Sequence, residues 1–288
     1  MSAAVLPLRF QIGARTLAAV PRRLHRVALS LDDVLSGHVP VLPALGDRDH
    51  GYLVTSLPET VELSAPGFVR VVRQRYERFH VDLAAGREAW LAGLSGSARS
   101  GLKRKRRKLA DAGYAVRACH DPDAFAAFHP LARAISARTY QEKLLGHGLP
   151  DLTSLSARVA ADRVRAWLLS IGEEPVAYLC CIADGATLRY DHVGHDPAWS
   201  GWSPGAVLQA DAMDELFGDR FARFDFTEGE GQHKRQFASA GTPCVDLLLL
   251  RPTMANRVLV TALSGFDAAV ARAKRSPWLA RIGDKLRR

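Results

Sequence analysis

Cysteine is scarce in this 288-residue chain, and Cys119, Cys180, Cys181 and Cys244 show neither a CxxC pair nor the His-Cys spacing of a zinc site. A chain of this length can bury a core without disulfides. Reduced thiols are therefore expected, and no metal site. No apolar run approaches the roughly 18 residues of a membrane-spanning helix. The opening MSAAVLPLRFQIGARTL lacks the basic segment followed by an apolar one that marks a secretory leader. A soluble, cytoplasmic protein is the expectation. Nucleophilic catalysis also finds little support: there is no GxSxG, and Cys180-Cys181 sits in an apolar strand-like run with no histidine beside it. Internal repeats and low-complexity tracts are missing too.

The composition, 48% hydrophobic, is that of a folded protein. Its formal charge of +9 invites an anionic partner. Most of that excess is local: residues 99–111 and 272–288 each hold seven bases and one acid, together +12, so the remainder sums to −3. The chain thus reads as a near-neutral body with two basic helices.

Strand-like runs (VLPLRFQI, HRVALSL, GYLVTSL, FVRVVRQRYERFHVDL) fill the first 85 residues, with a Pro- and Gly-rich connection between the second and third. The helical period begins at Gly86. It leads into SARSGLKRKRRKLADAG, capped by Ser97 or Ser100 and ended by Gly113. On that helix Ala98, Leu102, Leu109 and Ala112 share one face. Arg106 and Lys105 border the stripe, and Arg106, with Arg99, is expected to turn toward a cleft and meet an anionic ligand; Lys103, Arg104, Arg107 and Lys108 face solvent. A strand, two helices, three hairpin-linked strands, the helix SPGAVLQADAMDELF, the strand RFDFTEG and the strand CVDLLLLRP follow, before a basic helical tail. This order reads as α+β around one sheet.

Three places could carry chemistry. In GWSPGAVL, Ser203 stands at the N-cap, Pro204 at N1 and Gly205 just inside, with Gly201 and Trp202 before them. Free N–H groups and the positive end of the helix dipole there suit a pyrophosphate, although Ser-Pro is also simply a good helix start. In FDFTEGEGQHKRQF, Asp225 and Glu228 lie at a strand end, followed by His233, Lys234 and Arg235. That is a place for a general base or an acceptor clamp, or else a solvated turn. Tyr190 and His192 fall on one face of a strand and Asp191 on the other, so phenol and imidazole form an acid/base pair or a packed core pair. Tyr140, Gln141 and Lys143 add a polar loop, suited to an acceptor or to a helix end.

Taken in order, SARSGLKRKRRKL, TYQEKLLGHG, YDHVGHDP, WSPGAVL and FDFTEGEGQHKRQF resemble the GNAT-type acetyltransferases of the cellulose-biosynthesis CelD class and, more distantly, the FemAB aminoacyl transferases. The resemblance spans about residues 75–250. It implies a GNAT-like mixed, mostly antiparallel sheet flanked by helices over 86–255, a smaller degenerate GNAT-like lobe over 1–85, and a basic helical tail over 256–288. It also implies acyl transfer from acetyl-coenzyme A or another acyl-coenzyme A to an amine or hydroxyl, with a polysaccharide or lipid precursor as an acceptor suggested by the family. On this reading Gly201, Trp202, Ser203, Pro204 and Gly205 hold the donor. His192, Glu228 and Tyr190 are the acid/base candidates, and Arg106, Arg99, Tyr140, Gln141, Asp225 and Lys234 contact the acceptor. Two departures stand out: His233 replaces a tyrosine before the lysine, and Gly201 and Gly205 are spaced too widely for the superfamily's Q/R-x-x-G-x-G/A loop. The alternatives are a FemAB-like enzyme using aminoacyl-tRNA and a non-catalytic anion-binding protein. Nucleic acid is not the expected partner, whereas the tail, with Trp278, Leu279 and Ile282 among basic residues, suits peripheral contact with an anionic membrane.

Overall fold

The computed structural model describes residues 3–12, 15–139, 148–229 and 231–275. The chain divides into two units: Met1–Tyr76 together with Pro243–Arg288, and Glu77–Thr242. The expected divisions at 85 and 255 thus move, and the last strand and the helix after it group with the amino-terminal segment.

In the first unit, β1 (Ala4–Ile12), β2 (Arg15–Ala28), β3 (Gly51–Pro58) and β10 (Ala240–Leu250) lie in that order. Pairing is antiparallel except between β2 and β3. Pro7 is tolerated in β1 because that strand is an edge. Helix α1 (Leu31–Ser36), where a loop was expected, is started by a capping box between Ser30 and Asp33 and ended at Gly37 in the left-handed conformation, φ 65°. Helix α8 (Met254–Arg275) covers Leu8, Leu24, Leu248 and Leu250 with Leu259 and Leu263.

In the second unit the order is β4 (Val69–Asp82), β9 (Arg223–Asp225), β8 (Thr187–His195), β7 (Glu174–Asp184), β6 (Val164–Ile171) and β5 (Tyr114–Ala118). Only β8 and β9 among these described pairs run parallel. The period-two pattern sorts two cores. Trp167, Leu169, Leu179 and Cys181 pack with α2 (Arg87–Gly93), α3 (Gly96–Asp111) and α6 (Pro204–Leu216). Val164, Ala166, Leu168, Tyr178 and Cys180 pack instead with α4 (Pro122–Ser136) and α5 (Leu152–Ala160). All four cysteines are buried as thiols outside any disulfide, and burial pushes the Cys180 and Cys181 thiols well up. No described helix is long and apolar enough to cross a membrane.

Candidate active site

The single parallel pair in the second unit creates the site. Strands β8 and β9 are in register only from Thr187↔Arg223 to Arg189↔Asp225. β9 then ends while β8 continues to His195, so the two strands part and the edge of Tyr190–His195 that faced β9 has no strand partner among the described residues. Unpaired edge N–H and C=O groups need partners, and an extended ligand could supply them. β8 leads through a 3-10 turn (Pro197–Trp202) into α6, whose first turn therefore sits where the strands separate.

Ser203 occupies the cap position of α6, but in the left-handed region at φ 54° and without a side-chain cap bond. That conformation costs a non-glycine residue about 1–2 kcal/mol. Gly201 and Gly205 do not have positive φ; a Cβ at Gly201 would meet nothing within 4 Å, and one at Gly205 only His195 Nδ1 at 3.8 Å. Neither packing nor backbone conformation therefore demands glycine at these two positions. Open space against the backbone, at the positive end of a helix, is what an anionic ligand needs.

The basic helix α3 meets this loop differently from the expectation. Its cap is Ser95, ahead of both Ser97 and Ser100. The predicted stripe is buried at Ala98, Leu102 and Leu109. Arg106, however, does not turn to an open cleft: its guanidinium is bound by Asp211 at 2.7 Å and Asp214 at 2.6 Å, both on α6. Once two carboxylates hold it, little of its charge is left for a ligand. Arg99 is exposed on the first turn. Lys108, expected in solvent, instead donates to the Gly201 carbonyl at 3.1 Å and lies over the Trp202 ring, 4.4 Å from its centre. It is the α3 cation nearest the candidate phosphate loop for which contacts are described.

A bulge in β8 overturns the expected pairing of Tyr190 with His192. The register steps from Cys180↔His192 to Ile182↔Arg189, so two residues, Tyr190 and Asp191, stand opposite Cys181. Tyr190 turns into the core against Phe224 and Phe226, and its phenol is pushed up by burial. Asp191 and His192 both have Arg189 and Arg158 as charged neighbours. Burial first, with Asp225 adding and Arg189 opposing, pushes the Asp191 carboxyl up to about 6. Burial, then the two arginines, pushes His192 down to about 4. An imidazole that far below neutrality is a weak base, whereas Asp191 is matched to one working near neutral pH. Alternation along a regular strand hid Asp191, and a bulge leaves little trace in one sequence.

Asp225 pairs in register with both Arg189 and His80, forming a polar row across β8, β9 and β4. Its carboxylate is fully buried and is held by Arg78 Nη2 at 2.7 Å, Arg78 Nε at 3.3 Å and the Thr227 N–H at 2.8 Å. Thr227 adopts φ 61° to reach it. Two buried atoms in the row, Arg189 Nε and His80 Nδ1, have no hydrogen-bond partner among the described residues. Burial lowers the pKa of His80 against the pull of Asp225. Arg78, His80 and Arg189 were not among the sequence candidates; the only signal for them is alternation within FVRVVRQRYERFHVDL and TLRYDHVGH.

Lys234, nine-tenths buried in α7 (Gln232–Phe237), donates to the carbonyls of Glu228 at 2.7 Å and Gly229 at 3.2 Å. Burial lowers its pKa, with Asp225 and Glu228 opposing. It closes the loop after β9 in the manner of a clasp. His233 stacks near Tyr190, ring centres 5.9 Å apart, with its own pKa lowered by burial and by Lys234. Tyr140, Gln141 and Lys143, like Trp278, Leu279 and Ile282, lie outside the described residues. No cluster of described residues could hold a metal ion.

Comparison with known proteins agrees with a GNAT-like α+β fold. Residues 96–235 match the family model of the acetyltransferase (GNAT) domain. Two solved structures share the fold. FemX is 8% identical, with 86% of this chain and 88% of that one covered at a TM-score of 0.52. The C-terminal domain of a putative lysylphosphatidylglycerol synthetase from Agrobacterium fabrum is 10% identical, with 76% and 72% covered at 0.51. No curated protein matches the chain in sequence.

Proposed function

We propose that the protein transfers an acyl group, acetyl in the simplest case, from acyl-coenzyme A to an amine or hydroxyl. The observation that carries this reading is the parting of β8 and β9 beside the glycine-lined first turn of α6. An extended thioester arm would lie along the free edge of Tyr190–His195, with its pyrophosphate at Gly201, Trp202, Ser203, Pro204 and Gly205 and with Lys108 beside it. The acceptor attacks the thioester carbonyl directly, losing a proton to a base as the C–N or C–O bond forms. The C–S bond then breaks, and the thiolate takes up a proton. Asp191 is the best-matched base, with His192 and Glu228 as the other candidates, and the protonated Tyr190 phenol can serve the thiolate. Free edge N–H groups stabilise the oxyanion. An acceptor from a polysaccharide or lipid precursor is the finer form of this proposal, in line with the resemblance to the CelD class.

Titration calorimetry with acetyl-coenzyme A tests the reading: wild type should bind, and absence of binding at millimolar ligand would end it. The second reading, a FemAB-like transferase using aminoacyl-tRNA, draws support from the coverage of FemX, the wider of the two matches. It predicts aminoacyl-tRNA binding that weakens steeply with salt and no heat with acetyl-coenzyme A.

A further inference from the structure

Strand β8 carries a charged face that binding of the acyl donor does not use. Arg189 stands opposite Ile182 and His192 opposite Cys180, and residues directly opposite in a sheet share a face. Ile182 and Cys180 pack with α4 and α5, so Arg189 and His192 lie on that side, while Tyr190 packs on the other. Asp191, set in the bulge, accepts from Arg189 Nη2 at 2.9 Å and so comes to the α5 side too. Arg158, next to the buried Val159 of α5, is a charged neighbour of both Asp191 and His192. The face is rich in hydrogen-bond donors and short of acceptors. A guanidinium has five N–H groups; the described bonds of Arg189 use one, its Nε is without a partner among the described residues, and its side chain is 42% exposed. Arg158 is exposed, and its side chain makes no hydrogen bond or ion pair among the described residues. Asp225, next in the row, is taken up by Arg78 and the Thr227 N–H. That leaves Asp191 as the described carboxylate for Arg189 and Arg158 together.

We infer that Arg189 and Arg158 hold an anionic group of the acceptor, a carboxylate or a phosphate, so that the acceptor class is an amine or hydroxyl carried a few bonds from such a group. Planar guanidinium groups bind either anion through paired N–H···O bonds. The ligand thereby brings the acceptor oxygens that this face lacks. With the anion on the two arginines, the nucleophile is presented to Asp191, which bonds one arginine and neighbours the other. An acceptor without an anion leaves those N–H groups unmet, and one with a second positive charge is repelled. The phosphates of the acyl donor do not compete for this place. They would lie at the first turn of α6, a helix packed on the Tyr190 side of the sheet.

The acceptor role of this face rests on the acyl-transfer reading, so binding of the anion is measured apart from turnover. β-Alanine and O-phosphoethanolamine, amines ending in a carboxylate or a phosphate, are titrated by calorimetry into full-length protein with and without coenzyme A. Ethanolamine, which lacks the anion, is the control. At least one anionic amine should bind about tenfold or more tightly than ethanolamine, and the tighter of the two identifies the anion. Arg158→Gln and Arg189→Gln should each weaken that binding severalfold, and Arg189→Lys should restore only part of it because the fork of N–H groups is lost. With acetyl-coenzyme A as donor, both Gln variants should raise KM for the preferred amine more than they lower kcat. If Arg189→Gln unfolds the chain, the exposed Arg158→Gln still carries the test. Binding of ethanolamine equal to that of both anionic amines, no binding of either at millimolar concentration, or affinities unchanged in both Gln variants overturns the inference. Arginine-dependent binding of an anionic amine without any binding of coenzyme A would uphold the anion site and end the acyl-transfer reading; the converse pattern would sink the site and spare that reading.

Discussion

Replacing Gly205 should push stability and ligand binding in opposite directions. Glycine inside a helix costs roughly 0.5–1 kcal/mol relative to alanine because more backbone freedom is lost on folding. Gly205 has neither a positive φ nor a neighbour closer than 3.8 Å to a built Cβ, so nothing in the fold offsets that cost. Gly205→Ala is therefore expected to stabilise the protein by about 0.5 kcal/mol and raise Tm by about 1–2 °C. Gly205→Leu places a branched side chain where the pyrophosphate would approach the first-turn N–H groups. It should leave Tm within about 2 °C of wild type while weakening acetyl-coenzyme A binding at least tenfold, about 1.4 kcal/mol. Differential scanning fluorimetry and titration calorimetry on the same samples read both quantities. If Gly205→Leu bound acetyl-coenzyme A as wild type does, the loop would not be a phosphate site. If Gly205→Ala lowered Tm by several degrees, the glycine would be structural after all.

The remaining predictions concern the charges around that loop. Asp191 has its folded pKa raised, so its contribution to stability is lost as pH rises from about 4 to 6. His192 has its folded pKa lowered, so its contribution is lost as pH falls from about 6.5 to 4. Each amounts to at most about 3 kcal/mol, and they oppose one another. The stability of Asp191→Asn relative to wild type should therefore rise with pH across that window and that of His192→Gln should fall, in denaturant melts at several pH values; parallel curves would refute the shifts. Asp225→Ala leaves Arg78 buried without its carboxylate and should cost about 3–5 kcal/mol by urea unfolding; a cost under 1 kcal/mol would deny that the pair is buried and bonded as described. Arg106→Ala should cost about 1–3 kcal/mol with acetyl-coenzyme A affinity unchanged, whereas Lys108→Ala should weaken affinity severalfold at little cost in stability; calorimetry showing the reverse would restore Arg106 to the ligand.

Much of the fold is legible from period and punctuation. Alternation in RAWLLSI and VAYLCCIAD marks two strands and also assigns Cys180 and Cys181 to opposite cores, and the stripe Ala98, Leu102, Leu109 correctly orients the basic helix. The site is harder to read because its geometry depends on departures from period. One extra residue in β8 sets Tyr190 and Asp191 together opposite Cys181 and puts Tyr190 out of phase with His192. Arg106 lies close to the apolar stripe, as its helical angle requires, but what it meets there is decided by Asp211 and Asp214, more than a hundred residues on. Ser203 takes the cap position that its sequence suggests, yet its positive φ turns the hydroxyl away from the expected cap bond.

The first unit is built from both ends of the chain, with Cys244 paired to Pro58 across about 190 residues. During synthesis at roughly 5–20 residues per second, β3 would wait on the order of ten to forty seconds for β10. All of the second unit's residues emerge in that interval. The polypeptide that holds the candidate active site can thus organise before the strands preceding it have their final partner, and every nascent chain spends that time with the β1–β2 hairpin and the apolar β3 edge uncovered.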